Sequence, residues 1–174
     1  MLGRIPPTRR RNLEPLPNKT FTVLEANATV PVLEEVFERM DGRRAELFAN
    51  HQKLQMLEVM WGEQIGKSEN PDHAEFNELR AAFDTSIDEL DQFVTQEIRN
   101  RGLRFPPGGL ESGLIDFPTT YEGRWVFLCW QRGEPQVKYW HEIEAGYRGR
   151  QEIVAEHVIA MGKEGADSDL PGDL

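Results

Sequence analysis

Leu33, Met40, Leu47, Leu54 and Trp61 recur every seven residues. Phe76, Leu79, Phe83, Ile87, Leu90, Val94 and Ile98 follow at steps of three and four. Two apolar stripes of this period, one short connection apart, constrain the chain more than any other feature. Such a period belongs to an α-helix with one buried face. The connection "GKSENPD" (66–72) offers Asn70 as an N-cap, with Pro71 in the first helical position. Gly102 suits a left-handed cap at the far end. The spacing predicts helices over about 32–64 and 71–101. So short a connection makes them antiparallel neighbours, each roughly 45 Å long at 1.5 Å per residue. Val36 and Leu57 fill alternate positions of the first seam, but Arg43 and Asn50 interrupt it. The pair is therefore coiled-coil-like, not a strict coiled coil. Two helices cannot cover both stripes, so a further layer must pack across them.

Order is expected to begin at "FTVLEAN" (21–27), where Thr22 and Glu25 have the spacing of a capping box. Pro31 lacks an N–H and clashes with the preceding turn. A helical turn, a bend and then the long helix are expected there.

The further layer reads as β structure. "GLIDF" (113–117) is a short strand ended by Pro118, and "YEG" (121–123) is a turn. "RWVFLCW" (124–130) and "PQVKYWH" (135–141) are strands joined by "QRGE". The fold class is α+β, mainly helical. A long antiparallel helical hairpin carries a three-stranded antiparallel sheet at about 113–142, within one domain spanning 21–150. Symmetric closure about Arg132 and Gly133 pairs Leu128 with Val137, Val126 with Tyr139 and Trp125 with Trp140. Since side chains alternate along a strand, one face then carries Val126, Leu128, Trp130, Val137 and Tyr139. The other carries Trp125, Phe127, Cys129 and Trp140. An antiparallel sheet with one wet face has polar residues there. Here both faces carry large apolar groups, the second beside polar Gln136 and Lys138, so the second needs a cover: a second subunit, the ends of this chain or a ligand. A second copy of the chain is the expected cover, in a homo-oligomer and most simply a dimer, with Trp125, Phe127 and Trp140 as the candidate interface.

Charge narrows the partners. The 174 residues hold 20 Lys and Arg against 30 Asp and Glu, a net charge of −10. That argues against a general nucleic-acid surface and an anionic membrane surface. Residues 1–20 are basic and rich in proline, and are expected to be a loosely ordered arm. Its "TRRR" (8–11) reads as solubilising rather than as a nucleic-acid contact. Residues 151–174 read as a short helix ending at Gly162 and an acidic flexible tail. No stretch has the apolar run of a signal peptide or a membrane span. The single cysteine, Cys129, excludes an intramolecular disulfide and fits a reducing compartment. A soluble cytoplasmic protein is expected.

Catalytic motifs are absent: there is no HExxH, CxxC, phosphate-binding loop or GxSxG elbow. The polar residues of interest are Asp116, Arg124, Glu134, His141, Glu142 and Arg150. Asp116 is expected to pair with Arg124 or Arg150. No cofactor is expected. A divalent metal at His141 and Glu142 is the weaker reading, because adjacent strand residues point to opposite faces. The pairing scheme also separates Cys129 from His141, which argues against a thiol nucleophile with a histidine base. Cys129 then reads as a core residue.

The ordered set "FTVLEAN", "GLIDFP", "GRWVFLCWQRGE" and "WHEIEAGYRGR" resembles an uncharacterised prokaryotic family, domain of unknown function 2203. The resemblance covers about 21–150. It implies a signature of Gly113, Asp116, Phe117, Pro118, Gly123, Arg124, Cys129, Trp130, Gly133, Glu134, Trp140, His141, Glu142, Gly146, Gly149 and Arg150, and no activity. Turns, strand ends and core filling account for the glycines, Pro118 and the tryptophans. Two functions remain. One is a non-enzymatic, oligomeric interaction module. The other is a metal or small-ligand site at the sheet's end, possible ground for hydrolysis. The second requires the polar residues to converge in a concavity. The first lets them pair off.

Overall fold

The computed structural model describes residues 19–163. The basic arm with "TRRR" and the acidic tail beyond Lys163 lie outside the described residues.

Helix α1 runs Val23–Trp61, 39 residues. Its capping box forms as expected. The Glu25 amide donates to Thr22 Oγ1 at 3.2 Å, and the Thr22 amide donates to the Glu25 carboxylate at 2.8 Å. The bend expected at Pro31 does not divide the chain: the residue lies inside one helix. Pro31 sits on the exposed side. Interior proline costs a helix about 3 kcal/mol. Val30, Leu33, Val36, Phe37 and Met40 are buried on either side of it, each contributing about 1.5–3 kcal/mol. Packing outweighs the local penalty.

Helix α2 spans His73–Glu97, starting later than the cap at Asn70 predicted. The Asn70 side chain instead accepts from the Asp72 amide at 2.8 Å and turns the chain ahead of the helix. Asp72 in turn accepts from Trp61 Nε1 at 2.7 Å, tying the distal ends of the hairpin together. A 3-10 turn, Arg99–Arg101, follows α2, and Gly102 adopts the expected left-handed conformation at φ 79°.

The sheet has four strands, one more than expected. They are β1 (Leu114–Tyr121), β2 (Arg124–Gln131), β3 (Tyr139–Glu142) and β4 (Gln151–Glu152), ordered β1-β2-β3-β4 and all antiparallel. Two residues of β4 are too few for a periodic signal. A short helix α3, Gly109–Ser112, occupies the loop before β1. Helix α4 covers Ala155–Ala160.

Strand β1 does not end at Pro118 but continues through it. β1 is an edge strand, and Pro118 belongs to the residues whose backbone faces away from β2. The outer edge is closed by other segments: Arg104 exchanges both backbone bonds with Asp116, Phe21 N donates to the Pro118 carbonyl, and Gly162 N donates to that of Thr120. At Pro118 only an acceptor is used, so the missing N–H is harmless. The turn into β2 has positive φ at Glu122 and Gly123, as a two-residue type I′ hairpin requires.

The β2–β3 register differs from the symmetric closure. Leu128 faces Trp140, Phe127 faces His141 and Cys129 faces Tyr139, a slip of three residues. The cause is the loop. Glu134 folds back, its carboxylate accepting from the Gln131 amide and its carbonyl from Trp130 Nε1, both at 2.8 Å. Val137 N donates to the Asn27 side chain on α1 at 2.7 Å instead of joining a strand. Pairing therefore resumes only at Tyr139. An odd slip moves every β3 side chain to the other face. Trp140 joins Val126 and Leu128 on the helix side, while Tyr139 and His141 join Phe127 and Cys129.

The main core packs Ile115, Phe117, Val126, Leu128, Trp130 and Trp140 against α1 and the end of α2. Leu54, Leu57, Ile65 and Phe76 form a separate cluster at the distal tip of the hairpin. The opposite sheet face is not bare. Phe127 and Cys129 are fully buried, with the Arg104 guanidinium 3.8 Å from the Phe127 ring centroid. Among the described residues, no helix is long and apolar enough to cross a membrane.

Candidate functional site

Three adjacent strands each supply one polar side chain to the buried interior of the sheet's second face: Asp116 from β1, Cys129 from β2 and His141 from β3. All three are fully buried. Asp116 and Cys129 are direct cross-strand partners, and His141 lies diagonally across from Cys129. A carboxylate oxygen, the thiol sulfur and an imidazole nitrogen fall within 4.8 Å of one another. The expected separation of Cys129 from His141 is thus overturned by the register slip.

The polar atoms around this cluster are tied down. Asp116 Oδ1 lies 3.2 Å from His141 Nε2. Its Oδ2 accepts from Arg104 Nε at 3.3 Å and Nη2 at 3.1 Å. His141 Nδ1 lies 2.8 Å from the Glu142 carbonyl. Both ring nitrogens face acceptors, which calls for a proton on each. Burial pulls the His141 pKa down. The hydrogen bond and charge of Asp116, with the Glu142 carbonyl, more than offset it, and the net direction is upward. Burial and then the Asp116 charge push the Cys129 thiol up to about 12. The thiol is neutral at ordinary pH, so the pair is not poised as nucleophile and base.

The remaining candidates pair off. Arg124 binds Glu142 at 3.0 Å and Glu122 at 2.7 Å at an exposed end of the sheet. Arg150 binds Glu134 at 2.7 Å and the Cys129 carbonyl at 3.2 Å, with its guanidinium 4.2 Å from the Tyr139 ring. Asp116 pairs with neither Arg124 nor Arg150 but with Arg104 and His141. Glu142 lies on the other face from His141 and is held by Arg124, so those two do not form a ligand pair. Of the three aromatic candidates, Phe127 and Trp140 are buried within the single chain, on opposite faces, and Trp125 is half-buried. Arg104 was invisible to sequence reasoning. It lies in an aperiodic loop, and only its backbone bridge to Asp116 brings it to the site.

A family model described as an uncharacterized conserved protein (DUF2203) matches residues 19–153. No curated protein and no solved structure matches the chain. The matched segment contains both long helices and the whole sheet with its buried Asp116, Cys129 and His141, and on that extent the chain belongs to the DUF2203 family.

Proposed function

We propose that the chain is a non-enzymatic interaction module that associates with a second copy of itself through the outer part of its helical hairpin. One observation carries this reading. Phe48, Met56, Val59 and Met60 of α1 are 62%, 65%, 87% and 61% exposed. At 100° per residue they fall within roughly a third of the helix circumference. Isolated apolar residues on a surface need no explanation, but a strip does. Beside it runs a groove of about 530 Å³ lined in part by Leu47, Phe48, His51, Phe83 and Leu90. The groove lies where the seam is interrupted, between the main core and the distal cluster. Packing two hairpins across this strip would make a four-helix arrangement with its apolar positions inside. The pairing of Arg124 with Glu142 and of Arg150 with Glu134 supports the same reading, because each carboxylate is already engaged by an arginine of this chain. Interface duty falls on the hairpin in this proposal, since Phe127 and Trp140 are already used in the interior.

The test is the solution mass by light scattering. The wild type is expected at twice the 20.0 kDa chain mass, and the double variant Phe48→Glu, Val59→Glu at the single-chain mass with unchanged helicity. A monomeric wild type, or a double variant that stays dimeric, overturns the proposal.

A further inference from the structure

The cluster at Asp116, Cys129 and His141 has a property that the interaction reading leaves unused. Each residue presents one donor atom toward the others, while its remaining polar contacts are made elsewhere. His141 offers Nε2, with Nδ1 held by the Glu142 carbonyl at 2.8 Å. Asp116 offers Oδ1, with Oδ2 held by Arg104. Cys129 offers Sγ, and its carbonyl is bonded by Arg150. A ligating histidine whose other nitrogen bonds a backbone carbonyl, and a ligating carboxylate whose second oxygen is tied, are the outer-shell arrangement that orients metal ligands. The three side chains come from three adjacent strands and are fully buried, so none is a solvated surface acid.

We propose that Asp116 Oδ1, Cys129 Sγ and His141 Nε2 bind a divalent transition-metal ion of the zinc class. The donor set selects this class. Thiolate and imidazole suit zinc and its borderline neighbours, whereas calcium and magnesium require oxygen ligands throughout. Donors about 2.0–2.3 Å from a tetrahedral ion stand roughly 3.3–3.8 Å apart. His141 Nε2 and Asp116 Oδ1 lie 3.2 Å apart, and the ligand atoms of the three side chains all lie within 4.8 Å of one another, within reach of small side-chain rotations. Charge balances in the exchange. A divalent ion enters, one proton leaves the Cys129 thiol and one leaves His141 Nε2, so the net charge of the pocket is unchanged. Three protein ligands leave one tetrahedral position for a water or an anion. The bound ion would clip β1, β2 and β3 together across their hydrogen-bonded register.

The experiment is a cobalt titration of the full chain after removal of metal with a chelator. Cys129 is the sole cysteine, so a thiolate-to-cobalt charge-transfer absorption reports this site alone. The expected result is a band that saturates at one equivalent and disappears when zinc is added. Arg104→Gln should keep the band but weaken binding roughly 10–100-fold. His73→Ala, at the start of α2 and far from the sheet, should leave it unchanged. Cys129→Ser and His141→Ala should lose stoichiometric binding. If either fails to fold, the wild-type titration still decides. No band at saturating cobalt in the folded wild type overturns the proposal. Cobalt retained without the band also overturns it, since the ion then lies elsewhere. A full-strength band in folded His141→Ala removes histidine from the ligand set and overturns the assignment.

Discussion

Cys129 and its neighbours show how a residue's chemistry depends on groups distant in sequence. The thiol has apolar residues before and after it in the chain, Leu128 and Trp130, yet its proton is governed by Asp116 across the strand pair. Removal from water and an adjacent negative charge both disfavour the thiolate. Against an ordinary thiol near 8.5, a pKa of about 12 lowers the thiolate fraction at pH 8 roughly a thousandfold. The metal-free folded protein is therefore expected to resist alkylation by iodoacetamide at pH 8, while the same protein in denaturant reacts at the rate of a free thiol. Mass spectrometry of timed samples reads the difference directly. Rapid labelling of the folded chain would show that the face is open to solvent.

Among the elements, α1 carries the sharpest conflict between local and tertiary preference. Pro31 withholds a helical hydrogen bond in the third turn of a 39-residue helix. The buried residues around it keep the helix in one piece. Pro31→Ala restores the donor and removes the ring clash. It is expected to raise stability by about 1–3 kcal/mol, allowing for the extra entropy that alanine gives the unfolded chain. Urea unfolding followed by circular dichroism measures this, and a loss of stability would mean that the ring has a packing role. β1 resolves the same conflict differently. There Pro118 is placed where the strand needs only a carbonyl, used by Phe21 at 2.8 Å.

For the whole molecule, shape and charge pull in opposite directions. The hairpin extends past the sheet and ends in its own small core, with a groove between the two cores and an exposed apolar strip along α1. The chain's net charge of −10 repels any second copy that approaches this strip. Salt screens such repulsion, with a Debye length of about 10 Å at 0.1 M and 3 Å at 1 M. Self-association is therefore expected to tighten as sodium chloride rises from low to moderate concentration, as read by sedimentation at fixed protein concentration. Weakening under the same change would identify the contact as one made by complementary charges rather than by apolar burial.

Local, repeated signals in the chain specify most of its elements. The helices α1 and α2, the capping box at Thr22 and Glu25, the left-handed Gly102 and the β1–β2 hairpin turn each express an interaction within a few residues, and each is present in the fold, though Ile87 of the second stripe is 44% exposed. The α+β class and the antiparallel hairpin follow from them. Contacts between residues distant in the chain govern where those signals yield or fall silent. Pro31 sits inside a helix because the packing of its neighbours outweighs its penalty, and Pro118 inside a strand because its edge position removes one. The β3 register depends on Glu134 folding onto β2 and on Asn27 of α1 capturing the Val137 amide, bonds between residues distant in the chain. A slip of an odd number of residues inverts a strand's faces, and that alone carried His141 to the side of Cys129 and Asp116. Arg104 reached them through a bridge from an aperiodic loop. Periodicity reports which side of an element is buried. It does not report which residue of another element arrives there, and the buried cluster is made entirely of such arrivals.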